Sequence, residues 1–131
     1  MTRAALPAVT LLALLAMREP ALAQDASACA DQPTSPAVAA CLTRLLAVQD
    51  AALAQAVQRL LDSWRSRDAG EAVVKVAPAL AAGQAAWEAY RAQECAARAL
   101  TYGAGTGAGA AELRCRLALT AQRREALARD W

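Results

Sequence analysis

Seven residues of this chain, Leu42, Leu46, Asp50, Leu53, Val57, Leu60 and Trp64, follow one another at steps of four, four, three, four, three and four. A helical turn of about 3.6 residues keeps such a series on one side of the backbone, so the segment is restricted to a long amphipathic α-helix. Ser35 followed by Pro36 predicts its start, with a hydroxyl at the N-cap and a proline at the first helical position. Gly70 predicts its end. An apolar stripe of this length needs partners, and two further segments supply them. Pro78 predicts the start of a second helix running to about Tyr102, with the stripe Leu80, Gln84, Trp87, Arg91, Cys95 and Arg98. Gly83 inside it costs about 1 kcal/mol relative to alanine. A third helix, from about Ala110 to Arg129, carries Leu113, Leu117, Thr120, Arg124, Leu127 and Trp131 on one face. Between the first two helices, Val73, Val74 and Val76 fit either a short extended piece or a frayed helix, and the structure of residues 68–77 stays open. No segment sustains the period-two alternation of a strand. The expected fold class is all-α, an antiparallel three-helix bundle running up-down-up.

Alanine supplies 39 of the 131 residues, and phenylalanine and isoleucine are absent. A core of alanine and leucine buries limited apolar area, so such a bundle gains from cross-links. Cys29, Cys41, Cys95 and Cys115 are separated by 11, 53 and 19 residues, without the C-x-x-C pair of a zinc site. An even count in an exported chain implies two disulfides. Export is indicated by residues 1–23, which have the form of a signal peptide. Arg3 precedes the apolar stretch Ala4 to Met17, and Ala21-Leu22-Ala23 stands before Gln24 as a cleavage site. That stretch is shorter than the roughly 20 residues a membrane span requires. Ala26-Ser27-Ala28 before Cys29 lacks the branched apolar residue of a lipoprotein site. The working domain is therefore 24–131, periplasmic or secreted. Up-down-up topology brings Cys41, Cys95 and Cys115 to one end of the bundle, within reach of Cys29 on the preceding arm. Four cysteines allow three pairings. Cys41 with Cys95 and Cys29 with Cys115 is the expected set, because it ties the arm and all three helices together.

Removing Arg3, Arg18 and Glu19 leaves 12 basic and 11 acidic side chains. This balance provides no long-range field toward nucleic acid or an anionic membrane. Histidine is absent, the cysteines are expected to be oxidised, and the acidic residues are scattered, so no nucleophile–base pair stands out. A binding protein without cofactor or metal is expected rather than an enzyme. Asp50 interrupts an apolar stripe and needs a partner. Arg91 on the second helix and Arg123 bordering the stripe of the third are the candidates for a structural ion pair; a binding or catalytic carboxylate is the alternative. Gly105-Thr-Gly107-Ala-Gly-Ala110 matches a dinucleotide fingerprint in letters only, since it follows a helix instead of a strand.

Two blocks, Gln84-x-x-Trp87-x-x-Tyr90-Arg91-x-x-x-Cys95 and Cys115-x-x-x-Leu119-Thr120-x-x-Arg123-x-x-x-Leu127, resemble the small secreted proteins related to the lysozyme inhibitor LprI. The opening pair Cys29 and Cys41, about a dozen residues apart, is similar too, which extends the resemblance over nearly the whole domain. Asp50 and Leu53 fit that family's first helix, whereas Ala54 and Val57 stand where asparagine and tyrosine are usual. The resemblance implies an all-helical, disulfide-bonded envelope protein that inhibits a lysozyme by occluding its cleft. The alternative is an envelope interaction or structural protein that binds another cell-wall component and inhibits nothing. For an inhibitor, the loop Gly103, Gly105, Gly107 and Gly109 is the candidate inserting element, slim enough to enter a narrow cleft. Arg98, Tyr102 and Arg114 stand beside it, and an arginine there would face the catalytic carboxylates of a glycosidase.

Overall fold

The computed structural model describes residues 26–70 and 73–131, so the segment 1–23 expected to be a signal peptide lies outside the described residues. Among the described residues there are three α-helices and no strand. α1 (Ser35–Asp68), α2 (Val76–Leu100) and α3 (Ala108–Asp130) follow a single 3-10 turn at Ala26–Cys29. This is the all-α, three-helix architecture expected from the stripes.

The helix starts differ from expectation by small steps with clear causes. Thr34, not Ser35, is the N-cap of α1: its backbone is extended and its hydroxyl accepts from the Ala37 N–H at 3.3 Å. Ser35 and Pro36 then occupy the first two helical positions, where a missing proline N–H costs nothing. α2 begins at Val76, two residues ahead of Pro78. Its free N–H groups are served from the preceding helix, since Ala77 donates to Asp68 Oδ2 at 2.7 Å. Lys75 Nζ donates to the carbonyl oxygens of Asp68 and Gly70, which closes the turn from the other side. Val73 and Val74 lie exposed in that turn, in neither a strand nor a helix.

The core is divided in two. Toward the Asp68 end, Leu53, Val57, Leu61, Ala77, Leu80 and Leu127 form one cluster, with Leu60, Trp64 and Trp87 packed against it. Trp131 meets Trp64 edge-on at 6.1 Å between ring centres, which seals that end. Toward the other end, Leu42, Leu45, Leu46 and Leu117 surround Cys29, with Val38, Cys41, Ala110 and Leu113 at the margin. By length and composition α1 would also suffice for a membrane span; here its inward side carries both clusters and packs on the other two helices.

Two disulfides form, as expected, but the pairing is Cys29–Cys41 and Cys95–Cys115, with Cα–Cα distances of 5.7 and 5.4 Å. The cross-bundle set, Cys41 with Cys95 and Cys29 with Cys115, is thereby corrected. The 3-10 turn that carries Cys29 packs on α1 and also touches α3, where Cys29 lies against Leu117, but its sulfur bonds to Cys41 of α1. Cys95 and Cys115 face each other across the α2–α3 hairpin, near the last turns of one helix and the first turns of the next.

Candidate functional site

Between the two apolar clusters lies a layer of polar side chains contributed by all three helices. Gln49 and Asp50 come from α1, Gln84 and Arg91 from α2, and Thr120, Arg123 and Arg124 from α3. Arg91 Nη1 donates to Asp50 Oδ1 at 2.5 Å and to Thr120 Oγ1 at 2.6 Å. Thr120 is fully buried, and its hydroxyl also meets Asp50 Oδ1 at 3.3 Å and the Arg116 carbonyl at 2.8 Å. The Arg91 guanidinium lies 5.0 Å from the Trp87 ring centre. With 14% of the Arg91 side chain exposed against 39% for Asp50, the arginine is the more enclosed partner.

Arg123 does not join this ion pair. It lies three residues past Thr120, next to Arg124 of the inward stripe of α3, and its Nε donates to Gln84 Oε1 at 3.1 Å while its head lies 5.9 Å from Trp87. Gln84 Nε2 in turn donates to Glu88 Oε1 at 3.1 Å. A second strand of the layer joins Arg124 Nη1 to Gln49 Oε1 at 2.6 Å. Gln49 Nε2 is the one buried side-chain polar atom without a partner among the described residues. Sequence reasoning had placed Thr120 and Arg124 on the inward face of α3 without giving them roles. Gln49 was missed altogether, and its position beside Asp50 was the available signal.

The second candidate region is the α2–α3 tip. α2 ends at Leu100, and successive tight turns carry the chain to Ala108: Thr101, Tyr102 and Gly103 donate back to Arg98, Ala99 and Leu100, and Gly105 to Tyr102. Gly103 has φ +61°, a left-handed backbone that favours glycine. A Cβ on Gly105 would come within 3.1 Å of the Tyr102 carbonyl oxygen. The Tyr102 ring lies against Gly107, and Gly109 is already inside α3. The loop is thus a chain of hydrogen-bonded turns rather than a slack connection, with Cys95–Cys115 at its base. Of the two arginines singled out beside it, Arg98 is held by Glu94 at 2.9 Å, whereas Arg114 is exposed and makes no hydrogen bond or ion pair among the described residues. Leu100, 78% exposed beside Tyr102 at 59%, belongs to this tip and was missed. Its place off the Leu80–Arg98 stripe was the only signal for it.

In the polar layer the Thr120 hydroxyl meets the Asp50 carboxylate but is fully buried, and no three His, Cys, Asp or Glu side chains among the described residues gather closely enough to hold a metal. What the geometry provides is a three-helix scaffold whose polar layer is hydrogen-bonded apart from Gln49 Nε2, with an apolar and cationic tip. No curated protein and no solved structure is similar enough to this chain to count as a match. One family model, described as lysozyme inhibitor LprI, matches residues 26–127, which takes in the polar layer, both disulfides and the tip. The chain belongs to the LprI lysozyme inhibitor family.

Proposed function

We propose that this protein is exported to the periplasm or beyond and inhibits a lysozyme by inserting the α2–α3 tip into its active-site cleft. The observation that carries the reading is the tip itself, where Leu100 and Tyr102 stand exposed on a segment otherwise poor in side chains and clamped by Cys95–Cys115. A loop already held in hydrogen-bonded turns loses little conformational freedom on insertion, which is the usual advantage of a pre-organised inhibitor. Tyr102 supplies the aromatic anchor typical of an interface hot spot. Arg114 supplies an uncommitted guanidinium for the pair of carboxylates that a glycosidase uses. Residues 1–23, in the form of a signal peptide, and two disulfides support export.

The test is a titration of the oxidised protein into lysozymes of several classes, with cell-wall lysis as the readout. Stoichiometric inhibition is expected, weakened about tenfold or more by Tyr102→Ala or Arg114→Ala, as for a loss of about 1.4 kcal/mol or more at a hot spot. Both positions are exposed, so the melting temperature should stay unchanged. No inhibition of any class at micromolar concentration would transfer the assignment to an envelope protein that binds another cell-wall component.

A further inference from the structure

The two disulfides differ in how far solvent reaches them. Cys95 and Cys115 are 0% and 6% exposed, so that bond is enclosed from both ends between α2 and α3. Cys29 is also 0% exposed, but its partner Cys41 is only half-buried. Within a helix the side chain projects outward while neighbouring turns cover the backbone, so what Cys41 shows to solvent is chiefly its side chain. A groove of about 250 Å³ opens on this bond, lined by Ala28, Cys29, Cys41, Arg44, Leu45 and Val48. Arg44, one turn beyond Cys41 on α1, is exposed and makes no hydrogen bond or ion pair among the described residues. The bonds also differ in what they hold. Cys95–Cys115 joins two helices at the base of the tip. Cys29–Cys41 joins α1 only to the 3-10 turn Ala26–Cys29, where Cys29 packs among Leu42, Leu45, Leu46 and Leu117.

We infer that Cys29–Cys41 is a thiol-exchange site, opened by a dithiol reductant that enters at Cys41, whereas Cys95–Cys115 is closed to the same reductant in the folded protein. Exchange requires a thiolate to reach one sulfur of the bond, and access decides which sulfur is attacked. Cys29 is sealed in the apolar cluster, which leaves Cys41 Sγ as the target. The guanidinium of Arg44 draws the negatively charged nucleophile into the groove. As the new sulfur–sulfur bond forms at Cys41, the old one breaks, and Cys29 leaves as a thiolate that takes up a proton. The second thiolate of the reductant then attacks the mixed disulfide, frees Cys41 and closes the reductant into its own disulfide. Two electrons pass from the dithiol to the protein, which ends with two thiols. Since this bond restrains the N-terminal turn and no second helix, its opening frees the turn and leaves the bundle and the clamp beneath the tip in place. This site goes beyond the inhibitor reading and stands or falls without a lysozyme.

The probe is dithiothreitol, added to the oxidised, exported protein under native conditions. Samples are quenched with N-ethylmaleimide at intervals and the labelled cysteines are mapped by peptide mass spectrometry. Cys29 and Cys41 should be labelled together, about tenfold or more faster than Cys95 and Cys115. The species labelled at Cys29 and Cys41 should keep the helical circular dichroism of the parent. Arg44→Ala should slow this first opening about threefold, of the order that one exposed charge supplies, and Arg44→Lys should restore it. Val48→Trp, which crowds the groove from a position 51% exposed, should slow it too. Labelling of Cys95 and Cys115 serves as the internal reference and should not change in either variant. Both substitutions sit on the surface, and an unchanged melting curve certifies the fold. Simultaneous opening of the two bonds, earlier opening of Cys95–Cys115, loss of helix when the first pair is labelled, or indifference to both Arg44→Ala and Val48→Trp would each overturn the assignment.

Discussion

Asp50 shows how a single carboxylate fixes the alignment of three helices. Arg91 reaches it from α2, Thr120 from α3, and both bonds converge on one oxygen. A slide of either helix by one turn would separate these atoms and leave a largely enclosed guanidinium unpaired, a far greater penalty than the pair's own net gain. Replacing Asp50 with alanine should therefore destabilise the protein by about 2 kcal/mol, discounted from the fully buried case because Asp50 is partly solvated. For a domain of this size that lowers the melting temperature by roughly 10 °C. Asp50→Ala combined with Arg91→Ala should cost no more than Asp50→Ala alone; additive losses in the thermal melts would sink the bridge. At this scale the sequence was partly legible. A carboxylate interrupting an apolar stripe announces a partner, and Arg91 lay on the stripe opposite. Arg123 stood close enough in sequence to compete, and only the packed rotation of α3 turns it toward Gln84 instead.

Among the elements, the junction between α1 and α2 is held by one side chain serving two helices. Asp68 ends α1 and caps α2, and the N–H of Ala77, followed by that of Val76 and the charge of Lys75, holds its carboxyl below the ordinary value of 3.8. A depressed carboxyl contributes stability that is present above its unfolded value and fades as pH falls through its folded one. The start of α2 should therefore loosen only under acid conditions, below the usual carboxylate range. The Ala77 amide proton resonance should titrate with a midpoint below 3.8 and show no such step in Asp68→Asn. The stripes that defined the helices were plain in the sequence, because a period of 3.6 over twenty residues has no competing explanation. The caps were less so. Thr34 and Ser35 are chemically equivalent candidates, and the acceptor for the first N–H groups of α2 comes from a residue that belongs to the previous helix. Likewise, the run of glycines announced a break in the chain, while its succession of hydrogen bonds depends on Gly103 and Gly105 adopting particular conformations.

Taken whole, the molecule is an alanine-rich bundle whose two apolar clusters are joined by hydrogen bonds and whose covalent links are local. The cysteine count was legible and the pairing was not, because all four fall at one end of the bundle and the direction of a five-residue connection decides between neighbours. The observed links close loops of 12 and 20 residues, far shorter than any joining Cys41 to Cys95. Short loops close at lower entropic cost. Reoxidation of the reduced, unfolded chain should accordingly populate the 29–41 and 95–115 single-disulfide species first. Alkylation trapping and peptide mapping would reveal them, and early dominance of a 41–95 bond would contradict this. Each cysteine is joined to the next one along the chain. A polypeptide leaving an export channel from its N-terminal end would present the first pair complete while the second was still inside, and the second pair only after the first had been sealed. A simple oxidant acting on whatever has emerged then writes the native bonds in order, with nothing to proofread.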